Sequence, residues 1–359
     1  MNFASDNVYG VHPRILASLA AANAGTAPSY AGDDYTARAE ARLAEVFGCE
    51  LRAFLVTTGT AANGLALSAV TPGHGAIICH EEAHISWDES NAPEFYTGGA
   101  KILGLGSPAA KLNPGLIEER LGRLLRASHD PKPKGVSITN ATELGTVYAP
   151  GEVKAISDVI RPRGLKLHMD GARFANAVAG QGCAPAEITW KAGVDVLSFG
   201  ATKNGAMMLE AVVFFDLGLA EEFTFRRMRA GQLVSKSRYL GAQMLAYLED
   251  GLWLENAARA NALARKLAGG LARISTIRIP NPVDANEVFA VMPRSLREHL
   301  LAGGAKFHAW NFGSLTAGIS ADELPVRLVV SFATPEADVD RFIGLAEQYS
   351  SPPTNFHNP

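Results

Sequence analysis

Short apolar runs alternate with longer helical stretches up to about residue 240, and this alternation limits the folds available to the chain. The runs have the length and composition of buried β-strands, and they span residues 53–56, 76–79, 135–138, 165–169, 194–198 and 211–215. Strands that alternate with helices predict an α/β fold, in which a mostly parallel sheet lies between layers of helices. Ligands of such sheets bind beyond the carboxyl ends of the strands, so we expect functional residues there.

A second region with a different order of elements follows. Residues 239–272 are rich in Ala and Leu and predict one long amphipathic helix, and strands are expected at 287–292 and 326–332 before a last helix at 338–348. This order is typical of a small α+β domain. We therefore predict an N-terminal arm and large domain over residues 1–245 and a small C-terminal domain over 246–359.

Composition and charge exclude several classes of protein. Of the 359 residues, 47% are hydrophobic and 19% are charged, which is the balance of a globular enzyme. A net charge of -3 gives no electrostatic reason to expect nucleic acid or an anionic membrane as a partner. Residues 53–79 carry no Asp, Glu, Lys or Arg, but they contain Pro72 and several glycines, so a strand, a turn and a buried helix are expected there rather than a membrane span.

The three cysteines are too few and too scattered for a disulfide framework or a CxxC motif. This fits a reducing compartment. Residues 1–6 lack the basic and apolar regions of a secretory signal, so a cytoplasmic protein is expected. No set of metal ligands is assigned.

The first candidate motif is Thr-Thr-Gly-Thr-Ala-Ala-Asn-Gly at residues 57–64, between a predicted strand and a predicted helix. Backbone N–H groups at a helix N-terminus, with an unobstructed Gly59 and the Thr60 hydroxyl, can bind a phosphate. The alternative is a tight strand-to-helix turn. The motif is not a Walker A loop, because Leu65 stands where lysine is required, and Ala61 breaks a GxGxxG pattern.

Two further candidates also follow strands. Asp170 would be partly desolvated at a strand end, where a carboxylate needs a cation such as a protonated pyridine nitrogen, or else it is the N-cap of the next helix. Lys203 lies in Gly-Ala-Thr-Lys-Asn-Gly, and a desolvated lysine can attack a carbonyl. The alternative for Lys203 is a lysine of a surface loop. Together and in this order, the three pieces form a phosphate cup, a pyridinium partner and a Schiff-base lysine.

The sequence resembles the threonine aldolase family, within the β-eliminating lyase group of fold-type I pyridoxal-phosphate enzymes. The resemblance covers nearly the whole chain, from Phe-Ala-Ser-Asp-Asn at residues 3–7 through residues 30–38 to Arg327. It is similar to the low-specificity L-threonine and phenylserine aldolases of bacteria in the stretches 59–63 and 141–148. The resemblance implies pyridoxal 5'-phosphate as cofactor and a fold-type I fold with a large and a small domain.

The resemblance also implies roles for single residues. Lys203 would form the Schiff base with the cofactor, Asp170 would pair with the pyridine nitrogen, and Gly59 and Thr60 would hold the phosphate. His84 matches the histidine that stacks on the cofactor ring; otherwise it is a neutral histidine of the core. Lys203, His84 and Asp170 are the expected catalytic residues.

Other positions match residues that bind the substrate. Ser5, Arg173 and Arg327 would bind the substrate carboxylate, since a guanidinium can form two parallel hydrogen bonds with it; Arg173 is also a candidate contact of the cofactor. Without the resemblance, both arginines would be assigned to ion pairs or to the surface. Tyr30 and the segment 229–236 resemble parts that reach a neighbouring subunit's site, which implies a homo-oligomer, either a dimer or a homotetramer.

One position departs from the family. Many members have a histidine near the substrate's β-hydroxyl where this sequence has Glu143, which can still accept a proton. The expected reaction is retro-aldol cleavage of a β-hydroxy-α-amino acid to glycine and an aldehyde, with His84 as first candidate for the base and Glu143 as second. Alternatives are β-elimination or transamination on the same scaffold, and a non-catalytic binding protein.

Overall fold

A computed structural model describes residues 1–124, 126–311, 313–316 and 318–350. The strands are β1 Arg52–Val56, β2 Gly75–His80, β3 Lys101–Leu105, β4 Lys132–Thr139, β5 Lys166–Gly171, β6 Val196–Gly200, β7 Glu210–Phe214, β8 Glu287–Pro293, β9 His308–Ala309 and β10 Glu323–Val329. The helices of the first half are α1 Pro13–Ala22, α2 Asp34–Phe47, α3 Gly59–Val70, α4 His84–Trp87, α5 Ala92–Thr97, α6 Pro114–Gly122 and α7 Pro150–Ile160. Those of the second half are α8 Phe174–Gln181, α9 Phe223–Arg229, α10 Arg238–Leu248, α11 Leu252–Leu271, α12 Arg294–Ala302, α13 Gly313–Thr316 and α14 Glu336–Ser350.

The large sheet has seven strands in the order β1-β7-β6-β5-β4-β2-β3. Strands β3, β2, β4, β5 and β6 pair in parallel, whereas β7 is antiparallel to both β6 and β1. Residues 201–209 join β6 to β7, and this link is too short for the crossover that parallel pairing requires. Helices flank the sheet, so the predicted α/β class with a mostly parallel sheet is confirmed.

The predicted strands of the large sheet all overlap observed ones, and the structure adds β3. β3 lies at the edge of the sheet and is only partly buried, which explains why its sequence lacks the continuous apolar run of its neighbours. The single helix predicted over 239–272 is wrong. The chain breaks at Glu249–Gly251, where Asp250 and Gly251 have φ angles of 51° and 72°, and two helices form instead.

A second hydrophobic core lies behind the small sheet, whose order is β8-β10-β9 and whose pairing is antiparallel. Side chains from α11, α12 and α14 pack there. The N-terminal arm reaches this core, because Phe3 is fully buried in it and bonds to the backbone of Lys306 and Val329. The proposed division at residues 245 and 246 stays a prediction, and residues 351–359 lie outside the described residues.

Helix α3 is almost completely buried and positions the functional edge of the large sheet. Its Ala and Leu side chains pack against β1, β6 and β7, and its N-terminus lies just beyond the carboxyl end of β1. Among the helices that the structure describes, none is both long and apolar enough to cross a membrane.

Close contact between α2 and α10 depends on Gly241. A Cβ atom there would lie 2.5 Å from the backbone carbon of Tyr35 and 2.7 Å from the nitrogen of Thr36. We expect Gly241→Ala to lower the free energy of unfolding by about 1–3 kcal/mol, because the two helices must separate. Gly269→Ala is the control: its Cβ would meet no atom within 4 Å on α11, and it should stabilise by up to about 1 kcal/mol. Urea denaturation measures both, and equal changes would contradict this account.

Candidate active site

The phosphate cup predicted at residues 57–64 forms at the N-terminus of α3. Thr58 is the N-cap, and its Oγ1 accepts a hydrogen bond of 3.1 Å from the Ala61 N–H. The N–H groups of Gly59 and Thr60 belong to the first helical turn, which offers them no intrahelical acceptor. Thr57 is held by Gln232, whose Oε1 accepts hydrogen bonds from both the N–H and the hydroxyl of Thr57. The first turn of α3 is therefore open to an anion.

Asp170 lies at the carboxyl end of β5 and is only 3% exposed. Its Oδ1 accepts from the Ala172 N–H at 2.9 Å and its Oδ2 from Asn63 Nδ2 at 2.7 Å. Asp170 is not the N-cap of α8, since that helix begins at Phe174 after Arg173. Each carboxylate oxygen can accept a further hydrogen bond, so Asp170 can still bind a protonated ring nitrogen.

Lys203 lies in the short 3₁₀ turn Thr202–Asn204, which follows β6. Its side chain is partly buried and forms no hydrogen bond or ion pair within the described part of the chain. Gly200 lets this turn approach the Asp170 loop, because a Cβ there would lie 2.4 Å from the carbonyl oxygen of Ala172. The amine thus lies free beside the buried carboxylate rather than on an open surface loop.

Two adjoining cavities contain these groups. The phosphate-side cavity, of about 450 Å³, is lined by the cup and by the residues Asn63, His84, Glu89, Glu143, Asp170, Arg173, Lys203 and Glu210, among others. The arginine-side cavity, of about 290 Å³, shares His84, Glu143, Arg173 and Lys203 with it and adds Ser5, Glu287, Trp310 and Arg327. The structure therefore brings together all the predicted cofactor and substrate residues except Tyr30.

A continuous chain of hydrogen bonds runs along one wall of the phosphate-side cavity. Asn63 Nδ2 donates to both Asp170 Oδ2 and Glu89 Oε1, at 2.7 and 2.9 Å. Glu89 Oε1 lies 2.8 Å from His84 Nδ1. Burial alone would lower the pKa of His84, but the bond to Glu89 and the charges of Asp170 and Glu89 raise it above its ordinary value. With Nδ1 engaged, Nε2 is the nitrogen left for the cavity.

Glu143 is held next to His84. Its Oε1 accepts from the His84 N–H at 2.9 Å and from Thr139 Oγ1 at 2.7 Å, whereas its buried Oε2 has no partner among the described residues. Burial raises the pKa of this carboxyl to about 7, against the two hydrogen bonds, which lower it. Glu143 is therefore able to exchange a proton near neutral pH.

The two candidate carboxylate-binding arginines are paired with carboxylates of the chain itself. Arg173 binds Asp6 through Nε and Nη2, at 2.8 and 3.1 Å, and its Nη1 lies 3.3 Å from Glu287. Arg327 lies 3.8 Å from Glu287, and its guanidinium stacks 3.9 Å from the centre of the Trp310 ring. The Nε of Arg327 is buried and has no hydrogen-bond partner among the described residues. A donor left free in this way fits an anionic ligand.

Ser5 and Tyr30 are placed differently. Ser5 lines the arginine-side cavity, where its hydroxyl accepts from the Asn7 N–H. Tyr30 is 53% exposed and, within the described residues, lines neither cavity of its own chain. Its N–H bonds to Ser235, in the segment 229–236 that carries the same expectation of reaching a neighbouring subunit. That expectation stays a prediction.

Sequence reasoning missed five polar residues of the site: Asp6, Asn63, Glu89, Glu210 and Glu287. All of them are buried and line the cavities or bond to residues that do. Two signals were available: Asn63 lies one helical turn after Gly59 in the cup motif, and Glu210 directly precedes an apolar strand. Asp6 and Glu287 are far apart in sequence, and no local pattern shows that they meet at Arg173.

The protein belongs to the class of fold-type I pyridoxal-phosphate enzymes. The features that indicate this class are the sheet order, the cup, the buried aspartate and the lysine. The Sphingomonas wittichii serine palmitoyltransferase structure, 16% identical, shares this fold with a TM-score of 0.71 over 97% of this chain and 86% of that one. The Leishmania major threonine aldolase structure is 28% identical, with a TM-score of 0.91 over 98% of this chain and 99% of that one.

The family model for beta-eliminating lyases matches residues 2–295. A low specificity L-threonine aldolase of a Pseudomonas species (strain NCIMB 10558) is 46% identical over 308 residues, which are 86% of this chain and 89% of that protein. The chain therefore belongs to the beta-eliminating lyase family, and the resemblance seen in the sequence is confirmed.

The chain of hydrogen bonds predicts that Glu89 controls the charge of His84. Glu89→Gln removes a negative charge beside the imidazole, so we expect the pKa of His84 to fall by about one unit. An NMR titration of the His84 ring proton measures this. Glu45→Gln, on the surface of α2, is the control and should leave it unchanged. An unchanged His84 titration in Glu89→Gln would show that the pair does not set its charge.

Proposed function

We propose that this chain uses pyridoxal 5'-phosphate to cleave a β-hydroxy-α-amino acid, of the L-threonine, L-allo-threonine or phenylserine type, to glycine and an aldehyde. The observation that carries the proposal is the pair of adjoining cavities, in which a free lysine, a buried aspartate and an unpaired arginine donor lie close together. The 46% identity to a protein named low specificity L-threonine aldolase supports the same reaction.

The described residues fit the cofactor. The N–H groups of Gly59 and Thr60 would hold its phosphate, Asp170 its pyridine nitrogen, His84 one face of its ring and Lys203 its aldehyde carbon. When bound, pyridoxal phosphate supplies an electron sink for the pair of electrons released when a bond to the substrate's α-carbon breaks. Asp170 would keep the proton on the ring nitrogen, and the burial of its carboxylate next to Asn63 would strengthen that interaction.

The arginine-side cavity would bind the substrate carboxylate. Arg327 lines this cavity, and Arg173 is fixed in place by its two bonds to Asp6. Asp6 and Glu287 already balance the two guanidinium charges, so the chain keeps both arginines stable while the cavity is without an anion. Fixed donors of this kind hold the substrate in one orientation.

Glu143 is better placed than His84 to take the proton of the substrate's β-hydroxyl. His84 Nδ1 is engaged by Glu89, and its ring is assigned to the face of the cofactor. Glu143 has one carboxylate oxygen fixed and the other unpartnered, and it lines both cavities. It would accept the proton at Oε2 as the bond between the α- and β-carbons breaks.

We also propose a homo-oligomer in the cytoplasm. Several large apolar side chains are exposed, among them Phe225 and Met228 next to the segment 229–236, at 76% and 57%. Patches of this kind often mark contacts between chains. The cysteines Cys49, Cys79 and Cys183 are unpaired, which fits a reducing compartment.

The proposed function is tested by absorbance and product analysis. With pyridoxal phosphate, the protein should show a visible band that Lys203→Ala lacks, and L-threonine should yield glycine and an aldehyde in equal amounts. Ammonia or a keto acid in place of the aldehyde would assign β-elimination or transamination instead. A protein that shows no band with added cofactor would exclude this class of chemistry.

The role of Glu143 gives a pH dependence. A base must be ionised, and the pKa of Glu143 is about 7, so cleavage should accelerate as the pH rises through about 7. Glu143→Gln should lower kcat/KM by about 100-fold or more and lose this rise, while it keeps the visible band. Glu143→Asp should retain part of the rise. If Glu143→Gln keeps the pH profile of the natural protein, another group is the base.

A further inference from the structure

Glu210 is a buried acid that the reaction described above does not use. It is the first residue of β7, where it pairs with Gly200 of β6 on one side and Val56 of β1 on the other. Val56 leads into the phosphate cup and Gly200 leads into the turn of Lys203. Glu210 therefore lies between the two parts of the cofactor site, and its side chain, 7% exposed, lines the phosphate-side cavity.

The carboxyl of Glu210 is fixed to the turn that carries Lys203. Its Oε2 accepts a hydrogen bond of 3.0 Å from the N–H of Ala201, two residues before the lysine. The next residue, Thr202, is locked to the start of β7 by two bonds between its hydroxyl and the backbone of Leu209. The lysine turn is thus held both to the side chain of Glu210 and to the backbone of Leu209, the residue before β7.

Lys203, Asp170 and Tyr247 interact electrostatically with Glu210, and Asp6 and His84 interact in the same way with Lys203. Burial raises the pKa of Glu210 to about 7. Hydrogen bonds from Thr202 and the Ala201 N–H, and the positive charge of Lys203, act in the opposite direction. Above about pH 7 the group is mainly a carboxylate, and Lys203 is the cation with which it shares the phosphate-side cavity and interacts electrostatically.

The other buried carboxylates of the site form their hydrogen bonds and ion pairs with groups outside the lysine turn, although the charge of Asp6 also acts on Lys203. Asp170 bonds to Asn63 and Ala172, and Glu143 bonds to Thr139 and the His84 backbone. Asp6 and Glu287 pair with the two arginines, as described above. Glu210 is the carboxylate whose own hydrogen bond ties it to the lysine turn.

We propose that Glu210 is a positioning residue that sets the charge of the Lys203 nitrogen, because its carboxylate stabilises the protonated form of that nitrogen. The inference rests on the proposed function, in which Lys203 holds the cofactor and is released when the substrate amine binds. A carboxylate in the same cavity as the lysine would stabilise the positive charge in both situations. Its hydrogen bond to Ala201 keeps that charge at a fixed place relative to the lysine.

Glu210→Gln separates charge from structure. The amide oxygen of glutamine can accept the same bond from the Ala201 N–H, but the side chain carries no charge. The visible absorbance of the cofactor-loaded protein, followed from about pH 6 to pH 10, reports the proton on the Lys203 nitrogen. We expect the midpoint of this titration to fall by about one pH unit in Glu210→Gln.

Glu143→Gln is the matched control, since it removes a second buried carboxyl of the same cavity whose bonds do not reach the lysine turn. It should shift the midpoint by clearly less. Glu210→Asp keeps the charge, so its midpoint should lie close to that of the natural protein. If Glu210→Gln does not fold, Glu210→Ala removes the same charge and should give the same downward shift.

The outcomes separate this inference from the proposed function. Absence of any visible band in the natural protein would defeat the proposed function itself. A band whose midpoint is unchanged or raised in Glu210→Gln would overturn the role of Glu210 alone. A changed affinity for the cofactor with an unchanged midpoint would also overturn this role, because Glu210 would then act on the phosphate cup.

Discussion

The hydrogen bond between Asn63 and Asp170 joins the two elements on which the site depends. Asn63 lies on the buried helix α3 and Asp170 at the end of β5, so a bond of 2.7 Å fixes the first turn of this helix relative to the buried carboxylate. The same amide group holds Glu89, and through it His84. One buried amide thereby orients a phosphate-binding helix end, two carboxylates and an imidazole, and loss of its geometry would misplace all of them.

Buried charge is the main energetic cost of this arrangement. Isolated carboxylates in an apolar interior are expensive, and the chain offsets that cost in two ways. Around the substrate-binding end, Asp6 and Glu287 pair directly with Arg173 and Arg327. In the phosphate-side cavity, Glu143 and Glu210 pair with no guanidinium among the described residues, and burial raises the pKa of both carboxyls instead. The first arrangement gives fixed charges for binding, and the second gives groups that exchange protons at neutral pH.

Much of the fold and part of the site could be predicted from the sequence. Asp170 stood out as a candidate because it directly follows an apolar run with the pattern of a buried strand, and Lys203 because it lies among small residues shortly after such a run. The edge strand β3 was missed because it is half-exposed, and the long helix was predicted as one because its break at Glu249–Gly251 lies within an otherwise continuous amphipathic pattern. Contacts such as that of Asp6 with Arg173 join residues 167 positions apart, which no local pattern reveals.

The antiparallel strand β7 explains why the lysine and its neighbouring acid occur together. In a wholly parallel sheet, the strand after β6 would start at the opposite edge, and a crossover would carry its first residue away from the site. The short link 201–209 instead returns the chain directly, so β7 begins where β6 ends. Its first side chain, Glu210, therefore lies at the same carboxyl edge as Lys203. Because this strand is reversed, its first residue brings a charge to the same edge of the sheet as the lysine amine. A parallel strand would begin at the opposite edge and could not place a charge there.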